Sequence, residues 1–206
     1  MKKTFSVSGT FGDCYITCCK LYPLYQDGVD ITVNHMTVHK GLWNKLRALY
    51  KTLLPSVTVN MVESRDMSNE RIHSDFDTIE LGVGYEPFPK FQFQDYPVPT
   101  SYTAVNPRSG KAHETHRAIR ERECNDIYSK YESCMIIADD GSKTISQAMG
   151  VASCADKFYG YQGLMGFVAL SQKVPSIIYS YNAEETKAFK RRVCPEWEDY
   201  LIEIRS

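Results

Sequence analysis

The sequence has no run approaching the ~20 apolar residues that a membrane-spanning helix needs. It has no charge imbalance either, since 24 Lys and Arg against 25 Asp and Glu leave a formal net charge of −1. The first absence argues against a bilayer-crossing helix. The second removes the strong positive field by which proteins gather nucleic acid or anionic lipid, while leaving room for a local basic cleft. The basic start Met1-Lys2-Lys3 leads into no continuous apolar segment, because Ser6, Ser8, Gly9, Thr10 and Asp13 interrupt it. No signal peptide is expected.

The 7 cysteines (Cys14, Cys18, Cys19, Cys124, Cys134, Cys154 and Cys194) have an odd count, an adjacent pair and no CxxC spacing. That pattern argues against a disulfide framework or a zinc ribbon and points to reduced thiols in a cytoplasmic protein. HExxH is also missing. The pairs His35/His39 and His113/His116 have helix-compatible spacing but no third ligand, so surface or capping roles are expected for them rather than zinc. Asp139-Asp140-Gly141 could offer adjacent carboxylates to a divalent ion, but after a strand it reads more simply as a capped turn. No cofactor and no metal are expected. GxGxxG is absent too, and Gly160, Gly163 and Gly166, spaced by three, are by themselves a weak phosphate signal.

What is present is an alternation of short strands and helices over 206 residues. Strands are predicted at Thr4–Ser8, Val29–Asn34, Val57–Val62 and Thr78–Gly82, with helices at Cys14–Tyr25 and Gly41–Leu53. After them, Pro87, Pro89, Pro97 and Pro99 stand among aromatics in 86–101, a stretch that resists helix and reads as an extended connection. The alternation then resumes: strands Tyr102–Val105, Cys134–Ala138, Lys157–Tyr161 and Ser176–Tyr181, helices His113–Tyr131, Thr144–Ala155, Leu164–Gln172 and Ala183–Arg192, and an amphipathic tail from Glu196. Strands separated by helices of this length imply parallel βαβ units. The expected fold is therefore α/β, with two small Rossmann-like parallel-sheet domains, 1–90 and 91–206, facing across a cleft. Ligands of such sheets bind at the carboxyl ends of the strands, so function is expected in the strand-to-helix loops.

Two of those loops carry chemistry. In Ser8-Gly9-Thr10-Phe11-Gly12-Asp13 the glycines permit a turn, and Asp13 stands where free amides and the helix dipole favour a carboxylate. Asp13 reads either as a helix cap or as a general base for an acceptor hydroxyl. In Asn106-Pro107-Arg108-Ser109-Gly110-Lys111 the strand ends, and cations and donors precede a helix. It reads either as a solvated turn or as an anion site. The charge clusters Glu121–Glu123 and Lys187–Arg192 read as solvated helix faces.

Taken in order, these loops resemble the heptosyltransferase-like glycosyltransferases of the GT-B class. Gly12-Asp13 follows the first strand, and Val105-Asn106-Pro107 opens the second half. Residues 144–180 then carry Ala155-Asp156, Gly160, Gly163-Leu164-Met165, Ala169-Leu170 and Lys173-Val174-Pro175 in the family's order. The resemblance is most specific there and at the first loop, while residues 55–100 match little.

It implies a reduced GT-B architecture. Residues 1–90 would form an acceptor-side domain, with Thr10 and Gly12 in the acceptor loop and Asp13 as the base. Residues 91–206 would form a nucleotide-sugar-binding domain, with the donor held by Asn106, Arg108, Ser109, Lys111, Gln162, Gly163, Leu164 and Met165. The implied reaction is inverting and metal-independent, with a nucleotide-sugar as co-substrate and a hydroxyl acceptor as partner. Two departures stand out. The family's acidic or hydroxyl residue is replaced around Tyr161-Gln162, and its histidine by Gly166. They motivate the alternative of a noncatalytic nucleotide- or sugar-binding protein on the same fold. A further alternative, a DNA-base glycosyltransferase of a bacterial virus, receives no support from the near-neutral charge.

Overall fold

The structure, a computed structural model, describes residues 1–37, 39–63, 70–73, 84–107, 119, 121–137 and 141–205. The chain divides into two compact units, Met1–Gln92 and Phe93–Ser206.

The first unit runs β1 (Lys2–Ser8), α1 (Phe11–Gln26), β2 (Asp30–Met36), a 3-10 turn at Lys40–Leu42, α2 (Trp43–Leu53), β3 (Thr58–Val62) and β4 (Glu70–Arg71). Its strands lie in the order β3-β2-β1-β4, every pair parallel. Leu46, Leu49, Tyr50 and Leu53 of α2 are buried, the 3-4 spacing of a helix with one apolar face. α1 differs, because every residue from Asp13 to Leu21 is buried. The reason lies in the proline-rich segment. The Glu86 amide donates to the Cys19 carbonyl at 3.0 Å, and Phe91 packs edge-on against Tyr15 and Tyr22. The first part of that segment thus covers the side of α1 that a simple two-layer unit would leave wet.

The second unit runs β5 (Thr103–Asn106), α3 (Glu121–Lys130), β6 (Cys134–Ile136), α4 (Ile145–Ser153), β7 (Lys157–Tyr161), α5 (Leu164–Ser171), β8 (Ser176–Tyr179), α6 (Ala183–Arg191), a 3-10 segment Pro195–Tyr200 and β9 (Leu201–Arg205). The order is β6-β5-β7-β8-β9, again parallel throughout. All four residues of β8 are buried, as expected of an inner strand covered on both faces. One face packs Val105, Tyr159, Tyr161, Ile177 and Tyr179 with Cys124 and Ile127 of α3. The later part of the proline-rich segment belongs here, where the Gln94 amide donates to Ser146 Oγ at 2.9 Å.

The α/β class and two parallel sheets agree with the sequence reading, but several elements differ, among them the helix expected over His113–Tyr131, which among the described residues is Glu121–Lys130. The tail from Glu196 is not merely amphipathic. It buries Trp197 completely against Phe167 and then adds β9 to the edge of the sheet. β4 is Glu70–Arg71, where no strand was expected, and the expected strand Thr78–Gly82 lies outside the described residues. α1 begins at Phe11 rather than Cys14, so Asp13 is inside the helix.

Candidate functional site

Because all strands of a sheet are parallel, their carboxyl ends share one edge. In the second sheet the chain passes from β5 outward to β6, then returns to β7 on the other side of β5. The strand order therefore reverses between β5 and β7. Side connections leave in opposite directions at such a point and open a crevice at the carboxyl edge, where open α/β sheets bind ligands. Asn106 is the last residue of β5 and lies in register with Gly160 of β7. Gln162 and Gly163 follow directly.

Gly163 is the N-cap of α5 and has φ +146°, a conformation that L side chains rarely adopt. A Cβ built there meets no atom within 4 Å, so the glycine answers to backbone conformation and not to crowding. Leu164 and Met165 form the half-buried first turn. First-turn amides have no partner within their own helix and favour anions. Gln162 donates through Nε2 to Glu185 Oε2 at 2.8 Å. Arg108, Ser109 and Lys111, the expected cations and hydroxyl, lie outside the described residues. So do His113, His116, Asp139 and Asp140.

Gly166 is not an emptied ligand position. It is buried, and a Cβ there would stand 3.0 Å from Ile178 Cδ1. Any side chain at 166 would point into the layer between α5 and β8, away from the loops.

The first sheet has the same topology. The chain leaves β1 for β2 and β3 and returns to β4 across β1, so its reversal lies beside β1, whose carboxyl end is the Gly9–Asp13 loop. Thr10 is the N-cap of α1, Gly12 is in its first turn, and Asp13 is the third helical residue. The Asp13 carboxylate accepts the Thr10 amide at 2.7 Å and is only 7% exposed. Capping and a position at the carboxyl edge are thus both properties of Asp13. Gly9 has φ +134°, and a Cβ there would stand 2.3 Å from Asp13 Cγ, so the carboxylate lies directly over a residue without a side chain.

His35 is the residue that sequence reasoning misplaced. Expected at the surface, it is fully buried at the carboxyl end of β2. Its Nε2 lies 3.2 Å from the Gly9 carbonyl and its Nδ1 2.8 Å from Tyr50 Oη. A carbonyl only accepts, so Nε2 carries the proton and Nδ1 accepts from Tyr50. Burial lowers its pKa, partly opposed by the bond to Gly9 and by the nearby Asp13 charge. The strand alternation Ile31, Val33, His35 was the available signal, since it puts the histidine on an inward-facing position. Arg205, at the carboxyl edge of the second sheet, was also not anticipated. It pairs with Glu203 at 2.9 Å and donates to Tyr179 Oη at 3.2 Å.

Among the described residues no group of three or more His, Cys, Asp and Glu could hold a metal ion, and no helix is long and apolar enough to cross a membrane. All seven cysteines are free. A cavity of about 280 Å³ in the first unit is lined by Tyr22, Tyr25, Thr52, Leu53, Lys90 and Phe91. It lies at the carboxyl ends of α1 and α2, away from the strand-to-helix loops.

No protein-family model and no curated protein matches the sequence. Among solved structures, the chain is similar to the dodecameric iron-containing heptosyltransferase TibC in complex with ADP-D-β-D-heptose. There the identity is 10% and the TM-score 0.49, over 87% of this chain and 57% of that one. It is similar also to the iron-containing dodecameric glycosyltransferase TibC from enterotoxigenic E. coli H10407, with 10% identity and a TM-score of 0.45, over 87% and 59% of the two chains. The chain thus spans less than two thirds of the length of these proteins. Likeness at this level assigns neither family nor activity.

Proposed function

We propose that the chain is a glycosyltransferase that moves a sugar from a nucleotide-sugar to a hydroxyl acceptor, with inversion and without a metal ion. The reading is carried by one observation: the strand order of the second sheet reverses between β5 and β7, where Asn106 stands opposite Gly160 and beside the glycine-capped start of α5. These are the loops that the motif resemblance assigns to the donor.

In this reading the amides of Gly163, Leu164 and Met165 hold the diphosphate, and Arg108, Ser109 and Lys111 add charge and a hydroxyl. The acceptor hydroxyl gives its proton to the Asp13 carboxylate as its oxygen bonds to the anomeric carbon. The bond from that carbon to the diphosphate breaks on the opposite side, and the nucleoside diphosphate leaves with the electron pair. Holding donor and acceptor in line supplies much of the rate.

A second reading, a noncatalytic nucleotide- or sugar-binding protein, is favoured by the cap role of Asp13 and by the bond of Gln162 to Glu185. One experiment separates the two. Wild type and Asp13→Asn are titrated with a panel of UDP-, GDP- and ADP-sugars, following thermal shift and release of nucleoside diphosphate with an acceptor panel. The transferase reading expects both proteins to bind and only wild type to turn over. Equal activity of the two removes Asp13 as base, and absence of binding to any nucleotide removes the donor site.

A further inference from the structure

The Glu185 carboxylate ties two strand-to-helix loops together at the carboxyl edge of the second sheet. Glu185 is in the first turn of α6, where its amide donates to the N-cap Asn182 Oδ1 at 2.9 Å. A residue serving only that cap would direct its side chain to solvent or back to its own helix start. Instead Oε2 receives three donors. The Tyr181 amide, at 3.1 Å, comes from its own loop. The Tyr161 hydroxyl and Gln162 Nε2, at 2.8 Å, come from the end of β7, 23 and 24 residues earlier in the chain.

Both donors from β7 immediately precede Gly163. The Tyr161 ring packs in the apolar layer under α3, and its hydroxyl donates to the Glu185 carboxylate, a bond strengthened by the acceptor's charge. Gln162 then crosses the loop on the same oxygen. The two bonds fix the backbone on the amino side of Gly163, whose φ of +146° leaves the following helix start without steric guidance of its own. The helix dipole of α6 favours the negative charge of Glu185, so the anchor and its own helix reinforce each other.

We propose that Glu185 is a positioning residue. Acting through Tyr161 and Gln162, it holds the β7–α5 loop so that the first-turn amides of α5 stay aligned on one anionic group. In the transferase reading, on which the identity of that group rests, it is the diphosphate of the donor. Gln162 accordingly serves the loop and does not itself touch the sugar, and contact with the diphosphate falls to main-chain amides. Such contacts read phosphate geometry without reading the base or the sugar.

The test uses the full chain and two readouts. Without ligand, amide hydrogen exchange of residues 160–166 is compared in wild type, Glu185→Ala, Glu185→Gln and Tyr161→Phe, with residues 8–14 as an internal control. Glu185→Ala is expected to speed exchange at 160–166 about tenfold and leave 8–14 unchanged. Glu185→Gln, which keeps an acceptor oxygen, returns exchange close to wild type, and Tyr161→Phe lies between. With UDP, GDP and ADP, the Kd of the tightest binder is expected to rise about tenfold in Glu185→Ala and to recover in Glu185→Gln. Wild-type exchange at 160–166 in Glu185→Ala overturns the proposal. If that variant does not fold, wild-type exchange in Tyr161→Phe overturns it equally. If wild type binds none of the three nucleotides, the transferase reading fails, and the exchange comparison still decides the role of Glu185.

Discussion

Asn106 and Gly160 lie side by side at the carboxyl ends of β5 and β7, the place where the strand order of the second sheet reverses. The two residues are 54 positions apart in the sequence, and they bring the Asn-Pro loop and the glycine-capped start of α5 to one edge. The account of a donor site rests on that juxtaposition, and several measurements follow from it.

Gly163→Ala isolates the backbone. With φ +146° and open space around the missing Cβ, the substitution strains the main chain without a clash. Stability is expected to fall by about 1–3 kcal/mol, read from urea unfolding. Nucleotide affinity should fall with it, because the residue that sets the entry into α5 can no longer hold its conformation.

Gly166→His asks whether this chain has lost a ligand. The family resemblance puts a histidine at this position, but the side chain would enter the layer occupied by Ile178. The expected result is destabilisation of at least ~2 kcal/mol from overpacking and a buried imidazole, with no gain in nucleotide affinity. A tighter-binding, stable variant would show that the position faces the site after all.

His35 gives a pH signature. Its folded-state pKa lies below its ordinary value of 6.5 because burial disfavours the imidazolium. The unfolded chain therefore binds more protons just below pH 6.5. This contribution is complete above that pH and is lost progressively as the pH falls toward the folded-state value. Urea midpoints measured between pH 8 and pH 5 should drop for wild type and drop less steeply for His35→Gln. Tyr50→Phe, which leaves Nδ1 unpartnered, should lower stability by about 1–3 kcal/mol at pH 8.

Asp13→Asn separates capping from catalysis. The amide oxygen of asparagine can still accept the Thr10 N–H, so stability should stay within about 1 kcal/mol of wild type, while transfer falls by ~10²-fold or more for loss of a general base. Thr10→Ala should lower stability by about 1 kcal/mol while keeping the main-chain N–H that the Asp13 carboxylate accepts. The pair of phenotypes is read from unfolding curves and from nucleoside diphosphate release.

Much of the architecture was legible because parallel inner strands are nearly continuous apolar runs: Lys157–Tyr161 was located to the residue, and Ser176–Tyr179 to within two. β9 was not, for the opposite reason. Leu201–Arg205 is an edge strand whose residues are all half-buried or exposed, so neither an apolar run nor a clean alternation marks it. What places it is its parallel pairing with β8, about 25 residues earlier in the chain. α1 shows the same limit. Its side at Tyr15, Cys19 and Tyr22 meets a segment more than 60 residues later, through the Glu86 amide and the Phe91 ring.

At the site, loop glycines and the Asp13 carboxylate could be read from local chemistry, since a turn followed by a helix start states its own requirements. Glu185 could be read only as part of a cap. Its amide bonds to the Asn182 cap, and nothing local predicts that its carboxylate reaches Tyr161 and Gln162. His35 needed the strand face to be assigned before its burial could be seen. Side chains that act across elements are hidden from a local reading, and they are the ones that fix the geometry here.

The most direct test of the donor site follows the backbone amides of Gly163, Leu164 and Met165 by heteronuclear NMR during titration with UDP, GDP and ADP. The account predicts saturable downfield shifts of these amides with at least one of the three nucleotides, as their N–H groups bond to phosphate oxygen. If no nucleotide moves them, or if a nucleotide binds and shifts only amides elsewhere in the chain, the carboxyl edge between β5 and β7 is not a donor site.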